Sequence, residues 1–173
     1  MLDHEAIYFP QPEAVPRFTM EFMRMMFAHA EFEEQVRRMQ TAIMMTPPDQ
    51  PHNCGRETGG GLGNARQRPK RMAKLIKERP GLVEGREASE IGRILTAAIG
   101  PCDQRNLLAH GRWWRFDPKT STITIRGERK GEPERADYTE FEILEIAGEL
   151  RALATDLGKV RSDIENRRGD HDV

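Results

Sequence analysis

The sequence predicts an all-α protein: a four-helix bundle with a small β-hairpin inserted before the last helix. Three observations carry this expectation. Two long segments, near the two ends of the chain, repeat apolar residues in alternating steps of three and four, the period of a helix that buries one face. A third segment, 86–110, repeats those steps across a Gly-Pro break. The composition, 32% charged and 37% hydrophobic over 173 residues, suits helices with solvated outer faces better than a sandwich. A chain of this length buries enough surface for a real core, so one domain over 1–173 is expected.

Residues 1–15, with YFPQPEAVP, read as an extended arm. From Phe18 the apolar positions are Phe18, Phe22, Met25, His29, Phe32, Val36, Met39 and Ile43, the seam of a long helix that includes one histidine. Met20, Met23, Met26, Met44 and Met45 are expected to thicken that stripe as adaptable core. His29 reads as a core histidine hydrogen-bonded to Glu33, four residues on. A metal reading would join His29 and Glu33 to His110, but without clustered ligand motifs no metal is expected.

Residues 46–65 read as a flexible, glycine-rich loop. Its GGGLGN run has neither a preceding strand nor a following GK[ST], which argues against a phosphate-binding loop. A short basic helix over 69–78 follows, with Met72, Leu75 and Ile76 on its apolar side and Pro80-Gly81 as its stop. The third helix starts near Arg86 and runs through Ile91, Ile94, Leu95 and Ala98. It is interrupted at Gly100-Pro101, where proline lacks an amide donor, and resumes as CDQRNLLAH before Gly111. RWWRF and STITIR flank a proline-containing turn as a two-stranded hairpin, and GERKGEPERAD reads as a polar loop. Thr139 and Glu142 then form a capping box. Ile143, Ile146, Leu150, Leu153, Leu157, Val160 and Ile164 carry a final long helix, with 166–173 as a frayed tail.

The net charge of -1 gives no global attraction to nucleic acid or membrane, so any such affinity must be local. Two cysteines without a CxxC pair exclude a disulfide framework or a conventional zinc motif. No apolar run suits a signal peptide or a membrane span, and a cytoplasmic protein is expected.

RNLLAH, residues 105–110, is the stretch with chemical content. Counting in helical steps from Ile91 through Leu95, Ala98 and Cys102 places Arg105 on the apolar stripe, where a guanidinium needs an anion. Glu31, Glu33 or Glu34 of the first helix would serve, and so would a phosphodiester. Five helical steps leave Arg105 and His110 about 140° apart. The helix is therefore expected to end at Gly111, in the left-handed conformation of a glycine C-cap that lets His110 leave the helical phase.

This R-N-x3-H pattern, on a late helix of a small helical chain and followed by GRW, resembles the signature of the HEPN superfamily. Those are small helical-bundle ribonucleases and nucleotide-binding proteins of toxin-antitoxin and phage-defence systems. The resemblance implies a metal-independent endoribonuclease without a cofactor, acting as a homodimer in which two motifs face each other across a two-fold axis. It also implies RNA as substrate and an antitoxin protein as a possible partner. By position, Arg105 would stabilise the phosphate, His110 would act as general acid or base, and Asn106 would orient one of them. Imidazole ordinarily titrates near neutrality and suits proton transfer at a 2′-hydroxyl, while guanidinium donors suit the developing phosphorane charge. The alternative is a non-catalytic nucleotide- or protein-binding dimerisation module of the same architecture. The glycine-rich loop, the hairpin and the Gly-Pro break depart from the family pattern and bear on the dimer geometry.

The basic cluster Arg66, Arg68, Lys70, Arg71 and Lys74, continued by Lys77 and Arg79, reads either as a surface that tracks an RNA backbone or as a solvated helix face beside a loop. Trp113 and Trp114 either stack bases or cover the motif's helix.

Overall fold

The structure, a computed structural model, describes residues 15–44, 63–78, 83–129 and 132–169. The elements run in the order α1 (Val15–Met44), α2 (Arg68–Lys77), α3 (Gly85–Ala97), α4 (Ile99–His110), β1 (Arg112–Asp117), β2 (Thr122–Arg129), β3 (Glu132–Thr139) and α5 (Glu140–Gly169). Residues 1–14 of the expected 1–15 arm, most of the 46–65 loop and the last four residues lie outside the described residues, and Val15 already belongs to α1. The chain is mostly helical, with a small antiparallel sheet before the last helix. Among the described residues no helix is long and apolar enough to cross a membrane.

The two seams read from the sequence pack on each other. Phe18, Met25, Phe32, Val36, Met39 and Ile43 of α1 are buried, as are Ile143, Ile146, Leu150, Leu157, Val160 and Ile164 of α5, with Leu153 partly covered. Both helices start beside the sheet and run in the same direction. Phe18 stacks edge-on against Phe116 of β1 at 5.8 Å, β3 leads directly into α5, and further along Gly158 lies against Gln35. The capping box that starts α5 is formed: the Thr139 amide donates to Glu142 Oε2 at 2.7 Å and the Glu142 amide donates to Thr139 Oγ1 at 3.2 Å. Not every methionine joins the stripe. Met20 and Met23 are exposed together with Phe27, because their positions fall on the outer side of the helical wheel.

Ile91, Ile94 and Leu95 of α3 and Ala98, Cys102 and Leu108 continue the core. The break between α3 and α4 falls at Ala98, before Gly100-Pro101, so Pro101 sits in the first turn of α4 where a missing amide costs little. The Cys102 amide still reaches the Ala98 carbonyl at 3.0 Å. The start of α3 is tied to the end of α5: Arg167 Nη2 donates to Glu87 Oε1 at 2.6 Å, and Arg167 also pairs with Glu84. That contact keeps α5 helical to Gly169, so the expected fraying from 166 does not begin there.

The expected hairpin is a three-stranded meander in the order β1-β2-β3, and the segment read as a polar loop supplies β3. Polar composition hides this strand. It lies at the sheet edge, where Pro133 is tolerated, and only Ala136 and Tyr138 give it an apolar side. Ile123 and Ile125 of the middle strand face the core. Gly111 differs from expectation as well. Its φ of -74° and ψ of 160° are extended rather than left-handed, and α4 holds its helical form through His110. The requirement for glycine there is close approach. A Cβ on Gly111 would lie 2.5 Å from both Ile125 Cγ2 and the Leu107 carbonyl oxygen.

Gly111→Ala is therefore expected to destabilise the protein by about 1–3 kcal/mol in urea denaturation, as overpacking does. Gly148→Ala, where a Cβ meets nothing within 4 Å on an exposed face of α5, should instead stabilise by about 0.5–1 kcal/mol.

Candidate functional site

Because α4 is helical through His110, its functional side chains diverge. Arg105 is half-buried and lies one turn beyond Cys102, whose thiol feels its charge, whereas His110 is exposed at the helix end. The Arg105 guanidinium donates through Nη1 to Asn106 Oδ1 at 2.9 Å, and its Nε is buried without a hydrogen-bond partner. Among the described residues it forms no ion pair with a carboxylate. Glu33 is taken by Arg68. Glu34 is held down to about 2 by the hydrogen bonds of Arg37 and Arg38, and Glu31 is exposed. The motif thus presents a guanidinium oriented by a neutral amide rather than neutralised by an acid.

Asn106 and His110 line a cleft of about 880 Å³ whose other walls come from β2, β3 and α5. Arg105 is not among its lining residues, and five helical steps set it about 140° from His110 around α4, although its partner Asn106 does line the cleft. Asp103, Glu134, Tyr138 and Glu149 share the cleft with His110. Arg66 pairs with Asp103 at 2.5 Å and feels Glu134, and both acids hold its own proton more firmly. Burial, then the charges of Glu134 and Glu142, raise the Tyr138 phenol above its ordinary value. None of Glu134, Tyr138 and Glu149 stands out in the sequence as a site residue. The period-two alternation of Glu134, Ala136 and Tyr138 within a polar run was the available signal.

Trp113 covers the motif's helix. Its Nε1 donates to the Leu108 carbonyl at 2.9 Å, satisfying an orphan acceptor in the last turn, and its ring meets Phe22 edge-on at 5.5 Å. The Trp114 side chain lies outside the described residues.

The basic cluster divides. Lys70, Arg71 and Lys74 are exposed, and Lys74 lies 3.7 Å from Glu78. Arg68 does not belong to that surface: it is 9% exposed and donates through Nη2 to both oxygens of Glu33 at 2.6 and 2.7 Å. Its position at the start of α2 turns it toward α1, which helical spacing alone did not reveal. Arg79 lies outside the described residues.

His29 is largely buried and bonded to Glu33, as expected, with Nε2 3.2 Å from Oε1. The third group at this spot is Cys102 rather than His110. One ligand-type atom from each of His29, Glu33 and Cys102 lies within 4.8 Å of the others. Burial pushes the Cys102 thiol up to about 11. For Glu33 burial acts in the raising direction, but the His29 hydrogen bond and the Arg68 charge outweigh it and hold the carboxyl below 4.5.

Neither protein-family models, curated proteins nor solved structures give a match to this chain.

A depressed carboxyl contributes stability above its unfolded value and loses it as pH falls through its folded one. Stability at pH 7 should therefore fall on acidification below about pH 4.5, and less steeply in Glu33→Gln, as read by urea midpoints across that range. Arg68→Met should cost about 1–3 kcal/mol at pH 7 by leaving a half-covered carboxylate with only its His29 contact.

Proposed function

We propose that the protein is a metal-independent endoribonuclease of the HEPN kind, working as a homodimer. The observation that carries this reading is the state of the motif. Arg105 is held by Asn106 without a carboxylate partner, and the same helix turn delivers His110 to the wall of a cleft of nucleotide size. A guanidinium that is oriented yet not neutralised is prepared for an anion from outside the chain.

Arg105 and His110 of one chain face apart, so a composite site needs the motif of a second copy. In that arrangement one His110 takes the 2′-hydroxyl proton as the oxygen attacks phosphorus. The His110 of the other copy donates a proton to the departing 5′-oxygen, leaving a cyclic 2′,3′-phosphate and a free 5′-hydroxyl. Arg105 stabilises the charge that gathers on the phosphorane oxygens. Lys70, Arg71 and Lys74 supply exposed positive charge for the flanking backbone. An antitoxin that covers the cleft would silence the enzyme.

The polar lining of the cleft, where Asp103, Glu134, Tyr138 and Glu149 stand beside His110, favours a second reading, a non-catalytic nucleotide- or protein-binding dimerisation module.

Cleavage of single-stranded RNA should fall by at least about 10²-fold in His110→Ala with the oligomeric state unchanged. An excess of His110→Ala subunits should inhibit the wild type beyond simple dilution, because mixed dimers lack one proton-transfer group. Intact RNA with the wild-type dimer would leave the second reading standing.

A further inference from the structure

The geometry points to a second site, with none of its ligands lining the cleft: a binding site for a borderline-soft divalent metal ion of the zinc class, formed by His29, Glu33 and Cys102. The three groups come from two elements. His29 and Glu33, four residues apart, share one face of α1, and Cys102 projects from the first turns of α4. Their ligand atoms, one nitrogen, one oxygen and one sulfur, already lie within 4.8 Å of one another, and the Nε2 to Oε1 separation is 3.2 Å. Ligand atoms around a tetrahedral zinc ion sit roughly 3.3–3.8 Å apart, given metal–ligand distances of 2.0–2.3 Å. The nitrogen and the oxygen are close to that spacing, and the sulfur, within 4.8 Å of both, needs to close by at most about an ångström, within reach of a χ1 adjustment.

The donor set selects the metal. Magnesium and calcium seek oxygen cages, whereas an imidazole, a carboxylate and a thiolate together suit Zn²⁺ or Co²⁺. On binding, the ion takes the place of the hydrogen between Nε2 and Oε1, the imidazole carries its proton on Nδ1, and Cys102 releases its thiol proton to solvent. Arg68 remains as an outer partner. Through Nη2 it holds both oxygens of Glu33, while its buried Nη1 has no acceptor. Arg68 also lies close enough to Cys102 to favour the thiolate electrostatically. Outer-shell donors of this kind fix a ligating carboxylate and tune the metal.

A fourth coordination position is open to solvent. His29, Glu33 and Arg68 line a cavity of about 660 Å³, while Cys102, 2% exposed, is not part of its lining. Three protein ligands and one water is the pattern of a site that can bind a further small ligand. The metal would tie α1 to α4 one turn ahead of Arg105, and through Arg68 to α2.

The test is a cobalt titration of the full chain after chelator treatment. Tetrahedral visible absorption and a thiolate-to-cobalt charge-transfer band are expected, with one equivalent of Zn²⁺ abolishing both and excess Mg²⁺ affecting neither. Cys102→Ser should remove the charge-transfer band, Cys54→Ser should keep it, and His29→Gln or Glu33→Gln should weaken binding at least tenfold. If Cys102→Ser loses its helical circular dichroism, protection of the Cys102 thiol from alkylation by Zn²⁺ in wild type, and its loss in His29→Gln, decides the matter. Absence of the band in the wild type, or its dependence on Cys54, overturns the site. RNA cleavage insensitive to chelator, with the band present, separates this site from the nuclease reading.

Discussion

The packing of α1 against α5 is the constraint on which the other elements depend. Each helix offers a stripe of large side chains, and Phe32, Met25, Met39, Ile143, Leu150 and Leu157 are completely shielded where the stripes meet. Burial on this scale contributes about 1.5–3 kcal/mol for each such side chain before chain entropy is set against it. Two parallel helices cannot be joined by a short turn. The intervening chain has to return along the bundle, and α3, α4 and the meander make that return. The pair therefore dictates that α4 lies with Cys102 and Leu108 inward and ends beside the sheet. The orientation of every polar residue on α4 follows from those two buried positions.

That orientation explains why the motif divides between two environments. Cys102 and Arg105, three residues apart, share a side, so Arg105 is drawn toward the interior and only its end reaches Asn106. His110 lies five residues further on and, with no change of helical phase, turns to the cleft. A left-handed glycine would have redirected the chain at residue 111. Instead Gly111 lets β2 approach α4 to a distance no side chain permits, which fixes the cleft between helix and sheet. The separation of guanidinium and imidazole is thus a product of helical geometry.

Much of this arrangement was legible in the sequence because it rests on periodicity. The seams of α1 and α5, the Thr139–Glu142 capping box, the restart near Pro101 and the His29–Glu33 bond all follow from spacing within a single element. What spacing cannot express is a contact between elements. Arg68 read as one more cation in a basic run, since nothing local distinguishes it from Lys70 or Arg71. Its burial follows from facing Glu33, far away in sequence. β3 was hidden for a related reason: a strand at a sheet edge takes its backbone partners from β2, so its own side chains are free to be polar. The cleft residues Glu134 and Glu149 come together only through the meander and α5.

The placement of Arg68 also accounts for the partition of charge across the molecule. A guanidinium this deeply covered requires a carboxylate: Glu33 meets its Nη2, the Gly63 carbonyl accepts from its Nε, and His29 supports the same carboxylate. Glu33 is consequently not free to meet Arg105, although both are near Cys102. The Arg68–Glu33 contact thus anchors α2 to α1 and commits Glu33 to that anchor, while Arg105 of α4 is held by the Asn106 amide.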